Sequence, residues 1–329
     1  MAEMAKIKRR QHIVSKFYLS GFANGTKRVM QIRLAGGNPQ PISITDATVI
    51  SHFYTVTLPD GTRSDAFEDA MSELERAAAT SLRRILSGTW PLPTADREAV
   101  ASWIALQYLR TAAVRRTFQE LSDFLTDLAL RTEVAGGGKD RLRTVLQEID
   151  GVSPTEEDVE FWWDDLTAGK PQPGPTIDPA DHLQQIIRQH RDSTLMMRAR
   201  PWTLIRFRRK ALITGDCPVV LLDDGAVVGA GYALAPTVLV PLDRRTALLL
   251  SEVAAGVPEG EADVQIAPTA AMARVFNQAI ASNAYAAVFH HPDDDPLTGL
   301  SLPPPMRSRA GLPDLPLDDE DDAEADPVI

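Results

Sequence analysis

The chain has 329 residues, 44% of them apolar and 24% charged, with a net charge of −11 and one cysteine, Cys217. That length can bury a sizeable core in one large domain or two modest ones. The lone cysteine excludes an intrachain disulfide and a cysteine-based metal knuckle, and no apolar run approaches the roughly 18 residues of a membrane span.

Pro292–Ile329 holds eleven acidic and two basic residues, so −9 of the charge sits there and the other 291 residues carry −2. A nearly neutral body with an acidic, Pro/Asp-rich, disordered tail over 292–329 is expected. Lys6, Lys8, Arg9 and Arg10 open the chain without an apolar stretch behind them, so no secretory signal is read and a cytoplasmic protein is expected.

Gln11-His12 then lead into the aromatic run Phe17-Tyr18-Leu19-Ser20-Gly21-Phe22, a loop-like entry to a short helix. Alternation over 27–57, broken by Gly36-Gly37-Asn38-Pro39, predicts strands in a hairpin, with His52–Thr57 as the last run. Phe67, Met71, Leu74, Ala78, Leu82 and Ile85 repeat at helical spacing, and Gly88 stops that helix. A long helix is predicted from Thr94 toward Arg131, ended by Gly136-Gly137-Gly138, then a shorter one over 141–149. Thr155 with Asp158 forms a capping-box start, 169–179 is a connector, and 181–199 is helical again.

Beyond Pro201 short β-rich runs take over: 202–207, 211–214, 219–222, 238–240 and 247–250. A helix over 269–282 and a strand over 286–289 close the pattern. This order predicts an α+β fold with small, mostly antiparallel sheets. One domain over 1–291 is expected, with a helical middle at 66–200 and a β-rich part at 201–291.

The most telling chemistry interrupts an apolar stripe. Val100, Trp103, Val114, Phe118, Leu121, Leu125 and Leu128 define one face of the long helix, and Gln107 and Arg110 project onto it. A buried guanidinium cannot shed its proton, so Arg110 needs an anion or several acceptors. Glu75, on the flank of the preceding helix, is the natural counter-ion, and equally a candidate general base. His12 is a second candidate for moving a proton, with Gln11 beside it. Asp216, in Gly215-Asp216-Cys217-Pro218, projects from a strand end, although that stretch reads first as a tight turn.

No metal set is indicated, because adjacent His290 and His291 on a strand point to opposite faces. No motif specifies a cofactor. The basic run Arg206–Lys210 suits phosphate contacts or a protected sheet edge, and extended nucleic-acid binding ranks below a local anion site.

Gln11-His12-Ile13, Phe17–Ala23, His52-Phe53-Tyr54, Glu75, Gln107–Thr111, Trp202 and Leu212–Val219 resemble, in that order, the blocks of the bacterial family called domain of unknown function 4238. The resemblance covers roughly residues 9 to 291. This chain has Gly215 and Cys217 where the family usually has Ser and Asn. Membership implies that the blocks share a neighbourhood, and it implies no reaction.

Two functions are therefore expected with equal weight. The first is a hydrolase on a phosphate-containing or nucleotide-like substrate, with Gln11, Gln107, Arg110 and Asp216 holding a small anionic ligand and Glu75 or His12 moving a proton. The second is a non-catalytic ligand- or partner-binding protein in which the same network only shapes the fold. An open cleft favours the first; side chains sealed against each other favour the second.

Overall fold

The computed structural model describes residues 8–58, 60–228, 231–253 and 258–305. The chain begins with β1 (Arg10–His12) and α1 (Lys16–Leu19), continued by a 3-10 turn over Ser20–Phe22. β2 (Arg28–Arg33), β3 (Gln40–Ser43), β4 (Val49–Ser51), β5 (Val56–Thr57) and β6 (Arg63–Ser64) follow. The helical middle is α2 (Ala66–Ser87), α3 (Thr94–Leu109), α4 (Ala112–Asp150), α5 (Glu156–Thr167) and α6 (Pro179–Ala199). The last part holds β7 (Trp202–Arg206), β8 (Thr214–Gly215), β9 (Val220–Asp223), β10 (Ala226–Val227), β11 (Thr237–Asp243) and β12 (Thr246–Leu250). β13 (Val264–Ile266), α7 (Ala270–Asn283) and β14 (Ala287–His290) complete it.

The fold is α+β. A six-stranded sheet runs β10-β9-β11-β12-β7-β13, and a four-stranded sheet runs β3-β2-β14-β8. Among the described residues of these sheets only β13 pairs in parallel, with β7. β1–β4 and β5–β6 are separate two-stranded pairs.

α3 is the centre of the helical layer. Val100, Trp103, Ile104, Leu106 and Leu109 are all buried, because α2 and α6 flank it. α2 buries Met71, Ala78, Leu82 and Ile85 against it and stops at Gly88, whose left-handed φ of 112° a side chain would resist. The opening segment is pressed in just as closely. A Cβ on Gly21 would lie 2.9 Å from the Asp243 Cβ, so only glycine lets the 3-10 turn meet the end of β11.

Several expected elements differ. The helix predicted from Thr94 to Arg131 is two helices: Arg110 leaves helical geometry, and Thr111 is an extended N-cap whose hydroxyl accepts from the Val114 N–H at 3.3 Å. The break resets the phase, so the stripe does not continue into the core. Leu121, Leu125 and Leu128 are 43%, 52% and 49% exposed. Farther on, the expected stop is present: Gly138 leaves helical geometry (φ 60°, ψ −151°), so α4 is two helices joined at a kink there, the second ending at Asp150.

At the N-terminus Arg10–His12 is a strand paired with β4, not a loop. Residues 52–54 form a turn, which leaves only β5 of the run ending at Thr57. The run 211–214 shortens to β8. The capping boxes at Thr155/Asp158 and Asp178/Asp181 are formed.

Residues 292–305 pack on the domain. Gln278 Nε2 donates to the Ser301 carbonyl at 2.8 Å, Arg274 to that of Gly299 at 3.0 Å, and Asp294 pairs with Arg245 at 2.9 Å. The rest of the acidic tail, 306–329, lies outside the described residues, as does Lys6. Among the described residues no helix is long and apolar enough to cross a membrane.

Candidate functional site

The end of α3 places its amide and guanidinium where the chain turns into α4. Arg110 is 1% exposed and Gln107 is fully buried. Every guanidinium N–H has an acceptor: Nε–H donates to the Ile13 carbonyl at 3.1 Å, and Nη1 to Met71 Sδ at 3.4 Å and Glu75 Oε1 at 2.7 Å. Nη2 donates to Ser15 Oγ at 2.7 Å and Gln107 Oε1 at 2.9 Å. Five donors meet five acceptors, all from within the chain. Gln107 Nε2 donates to the same Ile13 carbonyl at 2.8 Å.

Ser15 is the hub that the sequence did not disclose. Its hydroxyl accepts from Arg110 and from Trp103 Nε1 at 3.1 Å, and donates to Glu75 Oε1 at 2.8 Å. A serine between a strand and a one-turn helix has no periodic pattern to break, so nothing marks it. Glu75, with its side chain 24% exposed, is the network's outlet to solvent.

Gln11 is buried and serves a neighbouring task. Its Nε2 donates to Thr55 Oγ1 at 3.0 Å and its Oε1 accepts the Tyr54 N–H at 2.5 Å. The Tyr54 hydroxyl in turn donates to the Arg110 carbonyl at 2.7 Å, so Gln11 braces the far side of the same junction. His12 does not join. Along β1 it alternates with Gln11, and its Nε2 lies 3.0 Å from the Thr45 carbonyl. Burial, followed by the charge of Lys16, holds its imidazole below the ordinary value.

Asp216 belongs to another part of the fold. Oδ1 accepts the Tyr285 N–H at 2.8 Å, and Oδ2 accepts those of Ala286 at 2.6 Å and Ala287 at 3.2 Å. The carboxylate thus fastens the entry of β14 beside β8. Asp216→Ala is expected to lower stability by about 2–3 kcal/mol in urea denaturation, because buried N–H groups lose a charged acceptor. The sequence-predicted residues therefore divide into a network of buried Gln107 and Arg110 with partly exposed Glu75, a braced neighbour in Gln11, and His12 and Asp216 outside it.

Three further groups carry chemistry. Glu68, two turns before Glu75 on α2, has a buried Oε1 without a hydrogen-bond partner among the described residues. Burial pushes its carboxyl up, opposed by the nearby Arg110. His182, fully buried on α6, lies with Nδ1 3.0 Å from Arg115 Nε and Nε2 3.0 Å from the Leu109 carbonyl. Third, a groove of about 620 Å³ runs over α3 between α2 and α6, walled by Leu74 and Leu195 with Ala99 and Ser102 on its floor.

In that groove His190 Nε2 lies 3.0 Å from the Ser102 carbonyl and 3.2 Å from its hydroxyl. A ring N–H given to the carbonyl cannot also take the hydroxyl proton. Ser102 also sits inside α3, where neighbouring backbone N–H groups are used by the helix and none is left for an oxyanion. Among the described residues no three His, Cys, Asp or Glu side chains are grouped to hold a metal ion.

The family profile described as "Protein of unknown function (DUF4238)" matches residues 10–294. No curated protein and no solved structure gives a significant match.

Proposed function

The chain belongs to the DUF4238 family, and from that premise we propose that it is a non-catalytic binding protein whose Ser15–Gln107–Arg110–Glu75 network holds the fold together. The observation that carries this reading is the filled coordination of Arg110. An arginine that recruits phosphate or carboxylate needs donors to spare, and here all five are used internally at a 1% exposed site. Binding falls instead to the groove over α3, whose lining is mostly apolar but includes Ser102, His190 and the charged Glu98 and Arg191. A buried single cysteine supports a cytoplasmic setting in this proposal.

The hydrolase reading keeps one foothold, the carboxyl pair Glu68 and Glu75. One is pushed toward its protonated form, and the other is fixed at its inner oxygen by Arg110 and Ser15. Of the two, Glu68 is the candidate to hold a proton and Glu75 is held in place by its partners.

Thermal denaturation with millimolar inorganic phosphate, ADP or a dinucleotide tests the choice. The expected result is an unchanged midpoint for the wild-type chain. A ligand-dependent rise that disappears in Arg110→Lys overturns the structural role given to the network, and turnover that disappears in Glu68→Gln overturns the non-catalytic reading.

A further inference from the structure

We propose that α4 pairs two copies of this chain along the ridge formed by Leu121, Leu125 and Leu128. These residues are 43%, 52% and 49% exposed, and with Val114 and Phe118 they recur at alternating steps of four and three. A 3.5-residue repeat is the narrow seam by which like helices interlock, narrower than the stripe a helix turns toward a globular core.

The other face of α4 already has its partner. Leu130 and Val134, before the kink at Gly138, are buried with Leu142 and Leu146 beyond it and with Val159 and Leu166 of α5 in a cluster separate from the main core. The ridge points away from that cluster. Solvated helix faces carry charge, yet Leu121, Leu125, Leu128, Ala129 and Thr132 present none, and the flanking Arg131, 33% exposed, is already paired with Asp127 at 2.7 Å. A second copy of the same ridge can therefore dock without burying an unpaired ion.

The surface available is consistent with a dimer at the weak end. A half-exposed leucine offers roughly 80 Å², so three on each copy give about 500 Å². Phe118, Phe124, Ala129 and Thr132 on both copies extend this toward the roughly 1,000 Å² of a specific interface. An isologous contact closes after two chains, so the assembly stops at a dimer.

Light scattering after size exclusion, run across a concentration series of the full chain, tests the pairing. The wild-type mass is expected to rise from 36 kDa toward twice that value as concentration passes from low to about 200 micromolar. Leu125→Arg is expected to stay monomeric throughout with an unchanged melting midpoint, since the replaced side chain is half in solvent. Ile187→Arg, at a 67% exposed position on α6, is expected to dimerise like wild type. A wild-type chain that remains at 36 kDa across the series overturns the proposal. So does a Leu125→Arg variant that dimerises as well as wild type, or an Ile187→Arg variant that loses the dimer too.

Discussion

Arg110→Met is expected to destabilise the protein by about 3–4 kcal/mol in chemical denaturation, near the lower end of the cost of halving a buried ion pair. The loss is held near that lower end because Glu75 reaches solvent and keeps the Ser15 hydroxyl after the arginine is gone. The rest of the loss comes from acceptors left short. Gln107 Oε1 keeps only the Ser15 groups at 3.3 Å, and the Ile13 carbonyl keeps only Gln107 Nε2. Adding Glu75→Leu removes the stranded carboxylate and is expected to return about half of the loss, or ~2 kcal/mol. It cannot return all of it, since Ser15 and Gln107 are still under-satisfied. The decisive quantity is the coupling in the double-mutant cycle. Strictly additive losses would show that the two side chains do not act as one structural unit.

Acid is expected to expose a second buried site. His182 is pushed down to about 3 from an ordinary 6.5, chiefly by burial and then by the Arg115 charge beside it. The geometry gives the reason: Arg115 Nε–H occupies Nδ1, while the other ring nitrogen gives its proton to the Leu109 carbonyl. A second proton would face a donor. The folded chain therefore refuses a proton that the unfolded chain accepts below 6.5. Its contribution to stability is whole above that pH and drains away as pH falls toward about 3.

The slope is at most about 1.4 kcal/mol per pH unit, and its sum over the window is on the order of 4 kcal/mol. His182→Gln offers an amide N–H to Leu109 and an oxygen to Arg115 without titrating. It is expected to be slightly less stable than wild type at pH 8 and to lose less on acidification, so the two stability curves converge below pH 6. Parallel curves would mean that His182 does not set the acid limb. Other buried groups titrate in both proteins, and the difference between the curves removes them.

Gln107 and Arg110 are legible in the sequence because each interrupts an otherwise apolar stripe on a helix buried from both sides. The same stripe misleads four residues later. Nothing in Leu109-Arg110-Thr111 announces a helix end, since Thr111 looks like any helical threonine until its hydroxyl caps Val114. Once the phase resets, Leu121 and its neighbours face outward, and their spacing describes a possible partner instead of a core. His182 is unreadable for the opposite reason. Its two partners lie on α3 and α4, and only the packing of α6 brings them together. Asp216 is marked by its turn, and its three backbone donors lie about seventy residues farther along the chain.

The four-stranded sheet fixes when this chain can finish folding. β2 lies between β3 and β14, with Gln31 opposite Phe289 and Ile32 opposite Val288. On a ribosome, the hairpin of β2 and β3 emerges early and waits for a neighbour made roughly 250 residues later. Tyr18 waits similarly for Thr214, its hydroxyl partner at 2.7 Å. Throughout that interval one strand edge and the aromatic cluster of the opening segment stand open to other nascent chains. Synthesis that halts before Ala287 yields an adhesive fragment, not a smaller working protein.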